Sequence, residues 1–279
     1  MGINLRGNAA LPQNKYIHMF ACMLALLFCV LVSRPFASMG VGDDWSYFWT
    51  ARVLADTGRL TYNGWGAMPL GWLAYLGALF IKLFGASLTA TRFSVLFVSL
   101  ACTALMQRIF VRTGATEWTA SVATLTLVLS PLFLPLSITF MSDIPNLFIL
   151  AICIYCCLRT FQSVSDKAAV GWLIAAALSN IAGGTVRQVA WLGALVIVPA
   201  VAWYLRQRRY ILLTGALLWI LSALCIALYL RWFHAQPYVV VEKIFHTYHT
   251  YSALFAVNVA FAALVCILPL MSALVIAGP

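Results

Sequence analysis

The sequence is poor in charge. Only 9% of its 279 residues are Asp, Glu, Lys or Arg, against about a quarter in an ordinary soluble domain. Acidic residues are the scarcest, seven in all: Asp43, Asp44, Asp56, Glu117, Asp143, Asp166 and Glu242. Soluble linkers, low-complexity tracts and internal repeats are missing as well. With 64% of the residues hydrophobic, a soluble fold of this length has nowhere to hide its apolar surface, so the bilayer must serve as solvent for most of it. The chain has no basic face either. Its net charge is +10, but the basic residues are scattered between apolar runs, which excludes nucleic acid as a partner. The tightest group, Arg206, Arg208 and Arg209, follows an apolar run and fits a cytoplasmic loop under the positive-inside rule. A disulfide framework is not implied, because all eight cysteines lie within apolar runs. Cys153, Cys156 and Cys157 look superficially like a metal motif, but small apolar residues on a lipid-embedded helix are the plainer reading.

What the chain does have is a succession of apolar segments, at 16–33, 69–84, 92–111, 118–140, 145–160, 168–186, 189–205, 210–232 and 253–277. A helix needs about 20 apolar residues to cross the hydrocarbon core. Arg6 and Lys15 precede the run Tyr16–Val32, which is long for a signal-peptide core and is followed by no small-x-small cleavage site. It reads as an uncleaved first span with its N-terminus in the cytoplasm. The 69–84 segment is short and carries Gly71 and Gly77, so it is expected to lie in the interface rather than to span. Residues 34–91, 141–144, the region of 187 and 233–252 then share the outer side, with Asp43, Asp44, Asp56, Asp143 and Glu242. Glu117 and Asp166 fall in inner loops with Arg108, Arg112, Arg159, Lys167 and the Arg206–Arg209 group. The fold class expected is an all-α integral membrane protein, one domain over 1–279, with about eight transmembrane helices and juxtamembrane helices in a first outer loop at 34–91. The chain stops at Pro279 directly after an apolar run, as a short or a C-terminally truncated protein would.

In that loop Asp43 is a good helix N-cap and Gly58 a good stop. Between them Trp45, Phe48, Trp49 and Val53 fall on one helical face, predicting a helix along the membrane surface with its tryptophans in the interfacial belt. Asp43 and Asp44 sit at its positive end, either as a cap and a dipole-compensating neighbour or as a carboxylate base or metal ligand at the membrane surface. A second acidic site follows in the run 130–150, where Pro131 and Pro135 are expected to kink one helix and Pro145 to start the next. Asp143 lies at that junction, as a helix cap or as part of a site shared with Asp43, because an ionised group among apolar spans is costly.

The order of these features resembles a known superfamily. A first span leads to Gly-Asp-Asp (42–44), Tyr47 and an amphipathic helix, then to a Pro-initiated apolar segment ending in KLFG (82–85) and a span opening with Arg92. A Pro-containing span leads to Ser-Asp-Ile-Pro (142–145), and GGTVRQ (183–188) comes later. Over roughly residues 16–250 the chain resembles the polyprenyl-phosphate-sugar-dependent glycosyltransferases of the GT-C fold. It is similar in particular to the protein O-mannosyltransferases and the lipid A aminoarabinose transferases. The resemblance implies that Asp43 is the catalytic aspartate, that Asp44 assists it, and that Asp143 helps hold a divalent metal (Mg, Mn or Zn) with Asp43. It puts Arg187 where a basic residue suits a lipid-linked phosphate. Tyr47 and Arg52 are further site candidates, as are Lys243, His246 and His249 in the last outer loop, where Lys243 is assigned to donor phosphate. The pair His246 and His249 is by itself a weak metal signal.

The implied activity is transfer of a hexose or pentose from a polyprenyl-phosphate carrier to a lipid, protein or glycan acceptor. The transfer would invert the sugar and take place at the periplasmic or outer face of a bacterial inner membrane. Relatives are usually longer, which leaves acceptor recognition open. The competing reading is a transporter or flippase for a lipid-linked sugar, with no transfer chemistry. Pro-broken helices suit it, but there is no inverted repeat, and the acids lie at loop edges rather than mid-span.

Overall fold

The computed structural model describes residues 15–33, 39–66 and 68–240. Ten α-helices follow one another in this part: α1 Lys15–Ser33, α2 Asp44–Thr57, α3 Gly71–Phe84, α4 Leu88–Arg112, α5 Glu117–Val128, α6 Phe133–Leu136, α7 Asp143–Gln162, α8 Asp166–Gly184, α9 Val198–Tyr204 and α10 Arg209–His234. A 3₁₀ turn at Gln188–Ala190 and a π-helical stretch at Gly193–Ile197 join α8 to α9. No strand occurs among the described residues. The protein is an all-α integral membrane protein.

Four of these helices are long and apolar enough to cross a bilayer: α1, α4, α7 and α10. The 69–84 segment forms α3, which is shorter, as does the stretch Gln188–Tyr204. The expected span at 253–277 lies outside the described residues. The apolar segment 118–140 is not one helix. α5 stops at Val128 and only the four residues of α6 resume it, because Pro131 and Pro135 remove backbone donors and fix φ. Local signals set other ends. Ser87 and Thr116 accept backbone N–H bonds at the starts of α4 and α5, and Gly58 ends α2 in the left-handed region at φ 71°.

Two apolar cores hold the bundle together. The first gathers α1 to α4, α6 and the start of α7 around Leu26, Leu54, Leu73, Val95 and Phe140. The second joins α7 to α10 through Leu173, Val198 and Ile211. Cys153, Cys156 and Cys157 are buried in this second core as packing residues. Small residues let the helices approach closely. A Cβ on Gly77 would meet the Phe140 ring and, at 3.1 Å, the Ala51 methyl.

α2 turns the tryptophans of its expected apolar face outward. Tyr47, Ala51 and Leu54 are buried, while Trp45 and Trp49 are exposed at 43% and 39%. The two tryptophans therefore face outward, Phe48 packs partly against the first core, and the helix docks through Tyr47, Ala51 and Leu54. This leaves the tryptophans free for the interfacial belt.

Among the described residues the paired charges sort to the two ends of the bundle. At one end Arg108 pairs with Glu117 at 3.5 Å, Arg112 donates to Gln162, and Arg208 donates to Asp166 at 2.6 Å. At the other end lie Asp43, Asp44 and Arg92, with Asp143 and Arg187.

Candidate active site

The loop after α1 returns to the bundle at Asp44. This carboxylate is fully buried, and both of its oxygens are engaged. Oδ1 accepts from the Val41 N–H at 2.7 Å, and Oδ2 accepts from Arg92 Nη2 at 2.7 Å and Nε at 3.1 Å. Arg92, in the first turns of α4, also donates to the Met39 carbonyl at 2.6 Å. The pair pins the start of α2 to α4.

Asp43, one residue earlier, is half-buried and differently held. It occupies the N-cap position of α2 at φ −88° and ψ 4°, but its side chain makes no capping bond. Its Oδ1 instead accepts from Trp65 Nε1 at 3.0 Å, across 22 residues of chain. Asp44, Asp56, Glu117, Asp143 and Asp166 each pair with an arginine. Asp43 is the one carboxylate among the described residues that does not.

Residues Tyr62–Gly66 form a strap over the start of α2. Asn63 donates from Nδ2 to the Ser46 hydroxyl at 2.9 Å, and its Oδ1 accepts from the Trp65 backbone N–H at 3.2 Å. Tyr62 donates to the Pro69 carbonyl at 2.7 Å. A Cβ on Gly66 would come within 2.9 Å of the Tyr47 ring, so only glycine lets the strap lie this close.

Tyr47 links the two acidic regions. Its phenol is pushed up to about 12, by burial first and then by the Asp43 charge, with Arg187 opposing and Asp143 adding. The phenol therefore stays a neutral O–H at working pH. Ser142 lies beside it. Asp143 opens α7, and its Oδ1 accepts from Arg187 Nη1 at 2.7 Å; the same Nη1 lies 3.2 Å from the Ser142 hydroxyl. Both side chains are about one-third exposed. Arg187 reaches this point because α8 ends at Gly184 and the chain turns sharply there. The start of α3 presses on that turn: a Cβ on Gly71 would lie 2.6 Å from the Thr185 carbonyl oxygen.

Of the expected site residues, the structure brings together Asp43, Tyr47, Asp143 and Arg187. Asp44 is adjacent but turned into the interior. Arg52 pairs with Asp56 on the exposed side of α2, at 3.8 Å. Lys243, His246 and His249 lie outside the described residues. Among the described residues no three His, Cys, Asp or Glu side chains gather as a metal seat. Asp143 is moreover engaged by Arg187. The described residues alone supply no complete ligand set for the expected divalent ion. Sequence reasoning missed Trp65, Asn63 and Ser142. The Asn63-Gly64 dipeptide marked a turn, but nothing local announced that it folds back over Asp43.

No family model and no curated protein matches the chain. Two solved structures share its fold. One is ArnT from Cupriavidus metallidurans in the apo state, with a TM-score of 0.61 at 16% identity over 82% of this chain. The other is ArnT from the same organism bound to undecaprenyl phosphate, with a TM-score of 0.59 at 16% identity over 81% of this chain. The chain has the GT-C fold expected from its sequence, and it spans 44% and 43% of the length of those two chains.

Proposed function

We propose that the chain is a membrane glycosyltransferase that moves a sugar from a polyprenyl-phosphate carrier to an acceptor at the outer face of the membrane, with Asp43 as general base. One observation carries this reading. In a fold shared with a protein that binds undecaprenyl phosphate, Asp43 is the described carboxylate left without an arginine, and Tyr47 feels both its charge and that of Arg187.

The arrangement suits a single displacement. An acceptor hydroxyl gives its proton to Asp43 Oδ2, which accepts from no described residue. The acceptor oxygen bonds to the anomeric carbon as the bond from that carbon to the phosphate oxygen breaks, and the electron pair leaves with the phosphate. Attack opposite the leaving group inverts the anomeric centre. Arg187 has Nε and Nη2 free of described partners, and these are available to the departing phosphate anion. Asp143 and Ser142 aim Arg187 by holding its Nη1. In this scheme Asp143 orients the cation rather than ligating a metal. Asp44 belongs to the scaffold, since both of its oxygens are occupied. The sugar and the chemical class of the acceptor are left to experiment.

The test is a donor screen. The purified wild-type protein is reconstituted in proteoliposomes with radiolabelled undecaprenyl-phosphate hexoses and pentoses and with lipid, peptide and glycan acceptors. Label appearing in an acceptor supports the reading. Donor that crosses the bilayer intact, with no acceptor labelled, would replace it with the transporter reading.

A further inference from the structure

The geometry points to Trp65 as the positioning residue for the base, through a strap whose function is to aim the Asp43 carboxylate. This deepens the reading of the same site and rests on it.

An aspartate at a helix N-cap ordinarily turns its carboxylate onto the free N–H groups of the first turn. Asp43 stands at that position and forgoes those donors: its side chain makes no capping bond and meets the Trp65 indole at 3.0 Å instead. The alternative partner is also absent: an arginine pairs with every other described carboxylate but not with Asp43. An arginine donates from several nitrogens and brings a charge. An indole has one N–H, no charge and no acceptor. It fixes one oxygen and leaves the other open, which is what a base aimed at an incoming hydroxyl requires.

The indole is itself held. Asn63 fixes the Trp65 backbone and bonds to Ser46 in the first turn of α2, so the strap and the carboxylate belong to one frame. Trp45 supports the ring from the side, with centroids 5.4 Å apart and planes tilted by 55°. Gly66 allows the strap to close against Tyr47. Trp65 is nevertheless 60% exposed, so its burial does not explain this bracing. The bracing serves the N–H.

The experiment has two arms. In the first, the full chain is labelled with ¹⁵N on its tryptophan indoles and observed by NMR in lipid nanodiscs. Of the signals from ten tryptophans, Trp65's is the one missing in Trp65→Phe. In Asp43→Ala that signal is expected to move upfield as its carboxylate acceptor is lost; an unmoved signal overturns the proposal. The second arm measures transfer. Trp65→Phe keeps the ring contact with Trp45 and loses the N–H. It is expected to lower kcat by roughly tenfold to a hundredfold with KM for the donor unchanged, and Trp65→His, which keeps a ring N–H, is expected to recover part of the loss. A Trp65→Phe enzyme with wild-type kcat, or one whose loss lies in KM alone, overturns the positioning role. A wild-type protein inert with every donor, while the NMR signal still moves, leaves the hydrogen bond in place. The transferase reading then fails and takes the positioning role with it.

Discussion

An ion pair occupies the lone pairs that a base needs, and a buried one cannot lose a partner cheaply. Asp43 and Asp44 divide along that line. Removing the Asp44 carboxylate takes the counter-charge from the Arg92 guanidinium, whose side chain is only 5% exposed. Asp44→Ala is expected to cost about 3–5 kcal/mol, seen as a lower unfolding temperature in detergent. Asp43 makes one bond from a half-buried position. Asp43→Ala is expected to cost only about 1 kcal/mol of stability, while its effect on transfer is large. Equal destabilisation by the two substitutions would contradict this division of roles. The acidic pair was legible in the sequence, but the division was not, because it depends on Arg92, 48 residues away.

The elements of the site work through close approach. α3 starts against the turn that carries Arg187, and Gly71 is the residue that permits the contact. A side chain there must push the α3 start or the Thr185 backbone aside. Gly71→Val is expected to cost roughly 1–3 kcal/mol through overpacking and to weaken binding of undecaprenyl phosphate by displacing Arg187. Thermal unfolding of the variant with and without that lipid checks both effects. An unshifted melting curve would show that the turn yields without strain. Much at this scale was readable from the chain. Gly58 announced the end of α2, and the prolines announced the break before α7. The tryptophans of α2 were assigned to the interfacial belt from sequence, but the residues that dock were not, because hydrophobicity does not say whether protein or lipid receives a face. In a membrane the two tryptophans go to the interface, and Tyr47, Ala51 and Leu54 take the protein side.

Among the described residues the ion pairs lie at two ends, with two apolar cores between them. The end with Arg108, Arg112, Asp166 and Arg208 matches a cytoplasmic face under the positive-inside rule. The Asp43 end is then expected to face outward. In sealed right-side-out vesicles, Arg52→Cys is expected to react with a membrane-impermeant maleimide, and Lys167→Cys only after permeabilisation. The reverse pattern would put the site on the inner face. The alternation of loops and the expected interfacial placement of 69–84 predict this orientation from sequence. The meeting of Asp43, Tyr47, Asp143 and Arg187 did not follow from it, because parity assigns a side of the membrane and not a distance.

The measurement closest to the central claim is a single-turnover experiment with donor already bound, comparing wild type with Asp43→Asn. Donor binding is expected to be equal in the two, since Arg187 is untouched. Transfer of sugar to the acceptor is expected to fall by roughly a hundredfold or more in the variant. Wild-type transfer by Asp43→Asn would remove Asp43 from the chemistry and contradict the account.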